Sequence, residues 1–156
     1  MVNMIKINHI LHPTDFSESS EPALKYACSL ATQFGAELHL INIVHNTGII
    51  EPPIAGYIPP DYHEQRTQFA NEELSAYPEK VISHSGSVVR NVCEGAPFVE
   101  IIRYAKKNEI DMIVMGTHGY SGVKHLIMGS VAENVVRKAH CPVLTIHPDN
   151  YEFEMP

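Results

Sequence analysis

The residues best suited to chemistry lie in one run, Gly116-Thr117-His118-Gly119-Tyr120-Ser121-Gly122-Val123-Lys124-His125-Leu126-Ile127-Met128-Gly129-Ser130. Glycine at 116 and 119 lets the backbone approach a ligand where a Cβ would obstruct it. Gly129-Ser130 falls where a helix is expected to begin, so exposed N–H groups and the helix dipole favour a phosphate there. The Ser130 hydroxyl can bind that anion or cap the helix. A second polar cluster, His12-Pro13-Thr14-Asp15-Phe16-Ser17, follows the first apolar stretch. Its Asp15 and Ser17 suit ligand recognition, or equally a turn and a helix cap. Histidines stand at 9, 12, 39, 45, 63, 84, 118, 125, 140 and 147, with no HExxH pair among them. They read as scattered surface residues, and no metal site held by protein ligands alone is expected. His118 and His125 are placed to approach phosphates or a cation bound to them.

These segments need elements to hold them. Ile5 to Leu11 reads as a strand running into the turn at His12–Asp15. Ser17, Ser19 and Ser20 are candidate N-caps, and Pro22 suits a first helical turn. Ala23, Ala27, Leu30, Ala31 and Phe34 then keep helical spacing until Gly35 stops it. Leu38 to Val44 is a second strand. The Pro- and Gly-rich stretch Asn46 to Pro60 is a surface loop, and Tyr62 to Tyr77 a weaker helix. Val88 to Val92 is a strand, and Pro97 opens a helix with Phe98, Ile101, Ile102 and Ala105 on one face. Ile110 to Met115 is almost wholly apolar, as expected of a strand covered on both faces. Ser130 caps a last helix striped by Val131, Val135 and Ala139, and Pro142 to Ile146 is a final strand. This alternation predicts an α/β fold: a doubly wound, parallel, five-stranded sheet with helices on both faces. Ligands in such sheets sit beyond the carboxyl ends of the strands, which is where both polar segments fall.

The chain has 156 residues, 44% hydrophobic, and a formal net charge of −7. That suits one domain over residues 1–156 and argues against a dedicated binder of nucleic acid backbone. The three separated cysteines, Cys28, Cys93 and Cys141, form no disulfide framework and read as small buried hydrophobes in a reducing compartment. No signal peptide opens the chain and no apolar run approaches a membrane span. A cytoplasmic protein without a membrane partner is the expectation.

The spacing G-x2-G-x9-G-[ST], at Gly116, Gly119 and Gly129-Ser130, resembles the nucleotide-binding loop of the universal stress protein family, in its ATP-binding branch. His12-Pro13-Thr14-Asp15-Phe16-Ser17 looks like that family's P-x-D-x-S turn. Gly129 to Val135 and His140 to Leu144 look like its closing helix and strand. The resemblance runs from Ile5 to His147 and is weakest over Asn46 to Ser83. It implies the Rossmann-like fold of adenine nucleotide alpha hydrolases. It also implies that Asp15 lies near adenine and ribose, with Pro13 and Thr14 shaping the turn and Ile43 against adenine. Met115, Gly116 and Gly119 would line ribose and phosphates, and Gly129, Ser130 and Val131 would form the phosphate-binding helix start. Ala132 stands where some ATP-binding members carry Thr.

The chain lacks GxxxxGK[ST] and has no GxGxxG after its first strand, which disfavours Walker-type and NAD-binding readings. The implied ligand is ATP, or AMP or ADP, with Mg or Mn held through the phosphates. The implied protein is a nucleotide-responsive stress module with an unnamed protein partner. Two alternatives stay open: a slow ATPase or adenine-nucleotide hydrolase, and a nucleotide-free stress protein acting through protein contacts. No catalytic residue is assigned, because the loop offers no Walker lysine, arginine or paired carboxylates. The apolar strand Val143 to Ile146 is expected at a sheet edge, where the resemblance implies that it pairs two copies as a homodimer.

Overall fold

A computed structural model describes residues 4–45, 61–119 and 128–148. The loop expected at Asn46 to Pro60, and Lys124 and His125 of the glycine-rich run, lie outside the described residues. Among the described residues five strands, β1 (His9–Pro13), β2 (Glu37–Val44), β3 (Val88–Glu94), β4 (Met112–Gly116) and β5 (Val143–Ile146), alternate with four α-helices. The helices are α1 (Glu21–Phe34), α2 (Tyr62–Ala76), α3 (Pro97–Lys107) and α4 (Ser130–Lys138). All strand pairs are parallel, in the order β3-β2-β1-β4-β5. The chain winds outward from β1 to β3, then returns to the other side of β1 for β4 and β5. The reversal lies between β1 and β4.

Strand residues alternate between two cores. Ile10, Leu38, Leu40 and Val114 pack on Leu24, Ala27, Cys28 and Ala31 of α1 and on Tyr77 just after α2. Leu11, Ile41, Ile113 and Met115 pack on Ile101 and Ala105 of α3 and Ala132 and Val135 of α4. Both faces are covered, as the apolar strands demand. Gly35 closes α1 at φ +64°, a conformation that disfavours a Cβ, and its N–H reaches the carbonyls of Ala31 and Thr32.

Several local expectations shift. The first strand starts at His9 rather than Ile5, because β1 pairs with β2 only from His9 opposite Glu37. Met4 and Ile5 are 85% and 88% exposed. β4 begins at Met112, since the Ile110 N–H still bonds back to Ala105 at the end of α3. Phe34 ends the α1 stripe on its exposed side. Ser20 occupies the cap position of α1, but its hydroxyl donates to the Ser17 carbonyl instead of capping. Ser130 is the first residue of α4, and extended Gly129 is its N-cap. The three cysteines are free, with Cys28 buried. No helix among the described residues is long and apolar enough to cross a membrane.

Candidate functional site

The reversal between β1 and β4 gathers three segments at the carboxyl rim of the sheet. The first is the turn leaving β1. The Thr14 N–H donates to the Ile41 carbonyl at 2.9 Å, and its carbonyl accepts from Asn42 Nδ2 at 2.8 Å. The Thr14 hydroxyl accepts the Phe16 N–H at 3.0 Å. Phe16 takes φ +64° and sets its ring edge-on to Phe69 and Tyr77. Asp15 Oδ1 accepts from the Ser17 N–H at 3.1 Å and the Ser17 hydroxyl at 2.5 Å, which fixes the carboxylate by a local turn.

The second segment leaves β4. A Cβ at Gly119 would stand 2.7 Å from Asp15 Oδ2, so the carboxylate occupies the space that any side chain there would take. Gly116 is packed as closely: a Cβ would lie 3.2 Å from the His118 carbonyl oxygen and 3.5 Å from that of Ser19. Both glycines thus serve the protein's own close packing as well as any ligand. The third segment is the start of α4. The Gly129 N–H donates to the Thr117 carbonyl at 2.7 Å, and a Cβ at 129 would lie 3.2 Å from that oxygen. The Gly129 amide is thus committed within the protein. The amide donors that the helix leaves for an anion are those of its first turn, Ser130 to Ala132.

Of the sequence-assigned residues, Asp15 and Gly119 meet directly, and Pro13, Thr14, Gly116, Gly129 and Ser130 frame the same rim. Met115 is different. Its side chain is buried in the core shared with α3 and α4, where Ile43 and Val131 also pack in part. Two organising residues escaped the sequence reading. Asn42 ties β2 to the Thr14 turn, and its signal was a lone amide inside an apolar strand. Buried Thr117 holds the Gly129 amide through its carbonyl, and its hydroxyl lies 2.9 Å from His118 Nδ1 and 3.1 Å from His147 Nδ1.

Beneath the rim lies His12, wholly buried. Its Nδ1–H donates to the Val114 carbonyl at 2.9 Å, and Nε2 has no hydrogen-bond partner among the described residues. Burial pulls its pKa down to about 4, against smaller opposing pulls from the Val114 bond and the Asp15 charge. His12 is therefore neutral at pH 7 and puts no cation under the rim. The segments Pro13–Ser20, Gly116–Gly119 and Gly129–Val131 contain no Lys or Arg. The rim thus offers backbone amides and a helix terminus to an anion, and the Asp15 carboxylate as an acceptor for hydroxyl or amino groups.

Known proteins share this fold. The sequence profile of the universal stress protein family matches residues 6–147. One universal stress protein of Methanocaldococcus jannaschii is 34% identical over 138 residues, covering 88% of this chain and 80% of its own. A second from that organism, MJ0577, is 30% identical over 154 residues, covering 90% and 95%. The solved structure of MJ0577 superposes with a TM-score of 0.74 over 94% of this chain and 99% of that one. The same fold occurs in a universal stress protein solved in complex with cAMP, at 23% identity and TM-score 0.59, covering 93% of this chain and all of that one. It occurs again in a protein from Archaeoglobus fulgidus in complex with dAMP, at 18% and 0.59, covering 91% and 98%.

Proposed function

The chain belongs to the universal stress protein family, and from that premise we propose that it is an ATP-binding module of a stress response, with the nucleotide seated on the carboxyl rim of β1 and β4. The observation that carries this reading is the seating of the Asp15 carboxylate against Gly119 at the point where the sheet reverses its winding. Asp15 would accept from the nucleoside hydroxyls, while Gly116, Gly119 and the start of α4 at Ser130 and Val131 receive the phosphates. Pro13, Thr14, Ile43 and Met115 act by shaping the strand ends and the wall behind them. The complexes of relatives with cAMP and dAMP support an adenine nucleotide as the class of ligand. Mg or Mn would accompany the triphosphate through its own oxygens and water.

Binding rather than turnover is the proposed activity. Rapid phosphoryl transfer requires neutralised phosphate charge and a positioned water, and the described rim segments contain no Lys or Arg. Hydrolysis is expected far below the ~10 s⁻¹ median of enzymes. The protein would act in the cytoplasm as a homodimer joined along β5, which among the described residues has β4 as its one neighbour in the sheet.

Mass spectrometry of the denatured protein for copurified nucleotide, followed by calorimetric titration with ATP, tests the reading. The expected result is saturable ATP binding that Asp15→Ala weakens at least about tenfold with the fold intact. Absence of both nucleotide and binding heat would leave a stress protein acting by protein contacts alone. Sedimentation showing only monomer would refute the β5 dimer.

A further inference from the structure

The opposite end of the sheet carries a different cluster. β1 and β2 run parallel with His9 opposite Glu37 and Leu11 opposite His39, so His9, Glu37 and His39 share one face at the amino edge. One ligand atom from each, an imidazole nitrogen or a carboxylate oxygen, lies within 4.8 Å of the other two. His39 is only 5% exposed, and its Nε2 stands 3.2 Å from Glu37 Oε1. The two side chains are thus paired across the cluster, imidazole to carboxylate. The His9 and His39 rings stand nearly perpendicular, with centroids 5.6 Å apart.

Each group is also held from behind. His39 Nδ1 lies 2.9 Å from the Tyr104 hydroxyl, which leaves Nε2 as the nitrogen facing the cluster. Glu37 Oε2 accepts the Ser87 hydroxyl at 2.7 Å, which leaves Oε1 turned toward His39. The His9 N–H donates to Asp111 Oδ2 at 3.0 Å, anchoring its backbone. Hydrogen bonds of this kind orient ligands and fix the imidazole tautomer in metal sites.

We infer that His9, Glu37 and His39 form a binding site for a divalent transition-metal ion, of the zinc class, at the amino edge of β1 and β2. Two imidazoles and one carboxylate suit Zn²⁺, Co²⁺, Ni²⁺ or Cu²⁺ and are poor for Mg²⁺ and Ca²⁺, which take oxygen ligands. Bonds of about 2.0–2.2 Å require the three ligand atoms to close to roughly 3.3 Å apart. Side-chain rotation of His9 and Glu37, both half-exposed, covers that movement. Water from the exposed side would complete the coordination. The cluster and the rim lie at opposite ends of β1, whose five residues set His9 and Pro13 about 13 Å apart.

The test is a titration of nucleotide-free, chelator-treated full-length protein with CoCl₂ followed by visible absorption, and with ZnCl₂ by calorimetry. One equivalent is expected, with d–d bands indicating nitrogen and oxygen ligation. His9→Gln, Glu37→Gln and His39→Gln should each weaken binding at least about tenfold, and Tyr104→Phe several-fold at unchanged stoichiometry. His63→Gln, which removes a histidine paired with Glu94 elsewhere, should change nothing. His9 and Glu37 are exposed enough that their variants keep the fold, which circular dichroism checks. Unaltered affinity in both folded variants, or no saturable cobalt binding by the wild type, overturns the proposal.

Discussion

The two ends of the central strands are built in opposite ways. The carboxyl rim is built from backbone: Gly116, Gly119 and Gly129 allow chain segments to meet closely, and the Asp15 carboxylate lies against Gly119. The amino edge is built from side chains, with His9, Glu37 and His39 converging and Tyr104 and Ser87 supporting them. A backbone-lined rim suits a large polyanion, which needs many weak donors spread over its length. A side-chain cluster suits a single small cation, which needs a few strong ligands at one point.

The difference breaks most sharply at Gly119. In Gly119→Val the new Cβ must displace the Asp15 carboxylate, which would otherwise sit 2.7 Å away. ATP affinity measured by calorimetry should fall by about a hundredfold or more, near 3 kcal/mol, while cobalt binding at the amino edge stays unchanged. Loss of both would mean that the substitution acts through the whole sheet.

Between the two ends, His12 makes stability depend on pH. Its folded pKa is about 4 against an ordinary 6.5, so the unfolded chain binds more protons between those values. The stabilisation is complete above pH 6.5 and is lost as pH falls toward 4. Urea denaturation at pH 7 and pH 5 should differ by about 2 kcal/mol from this residue. In His12→Asn, whose amide can still donate to Val114, that part of the difference should vanish. An unaltered pH dependence would mean that other groups govern acid stability.

The smallest expected effect sharpens the account of the rim. Asn42→Ala removes the bond from β2 to the Thr14 carbonyl and should lower stability by about 1 kcal/mol. ATP affinity should fall a few-fold with it, as Asp15 loses part of its support. Full affinity in this variant would show that the turn is held by β1 and Ser17 alone.

The segments of the rim were legible in the sequence because each carries its own local spacing. Spacing among Gly116, Gly119 and Gly129, and the Asp15-x-Ser17 turn, survive as text. The periodicity of apolar residues likewise revealed five strands and four helices, since burial on both faces leaves long apolar runs such as 110–115. Ends were harder. Ile5 reads as strand, yet pairing begins only where Glu37 faces His9. Ser130 reads as a cap, yet Gly129 holds that position because its amide bonds to Thr117. The amino-edge cluster left no trace at all. His9 and His39 are thirty residues apart, and only the parallel register of β1 and β2 sets them together.

The central claim is that nucleotide occupies the carboxyl rim, and amide chemical-shift mapping by NMR during ATP titration tests it most directly. Large shifts are expected for Asp15, Ser17, Thr117 to Gly119 and Ser130 to Ala132, with Glu37, Leu38 and His39 unmoved. Shifts concentrated at the amino edge, or none at saturating ATP, would contradict it.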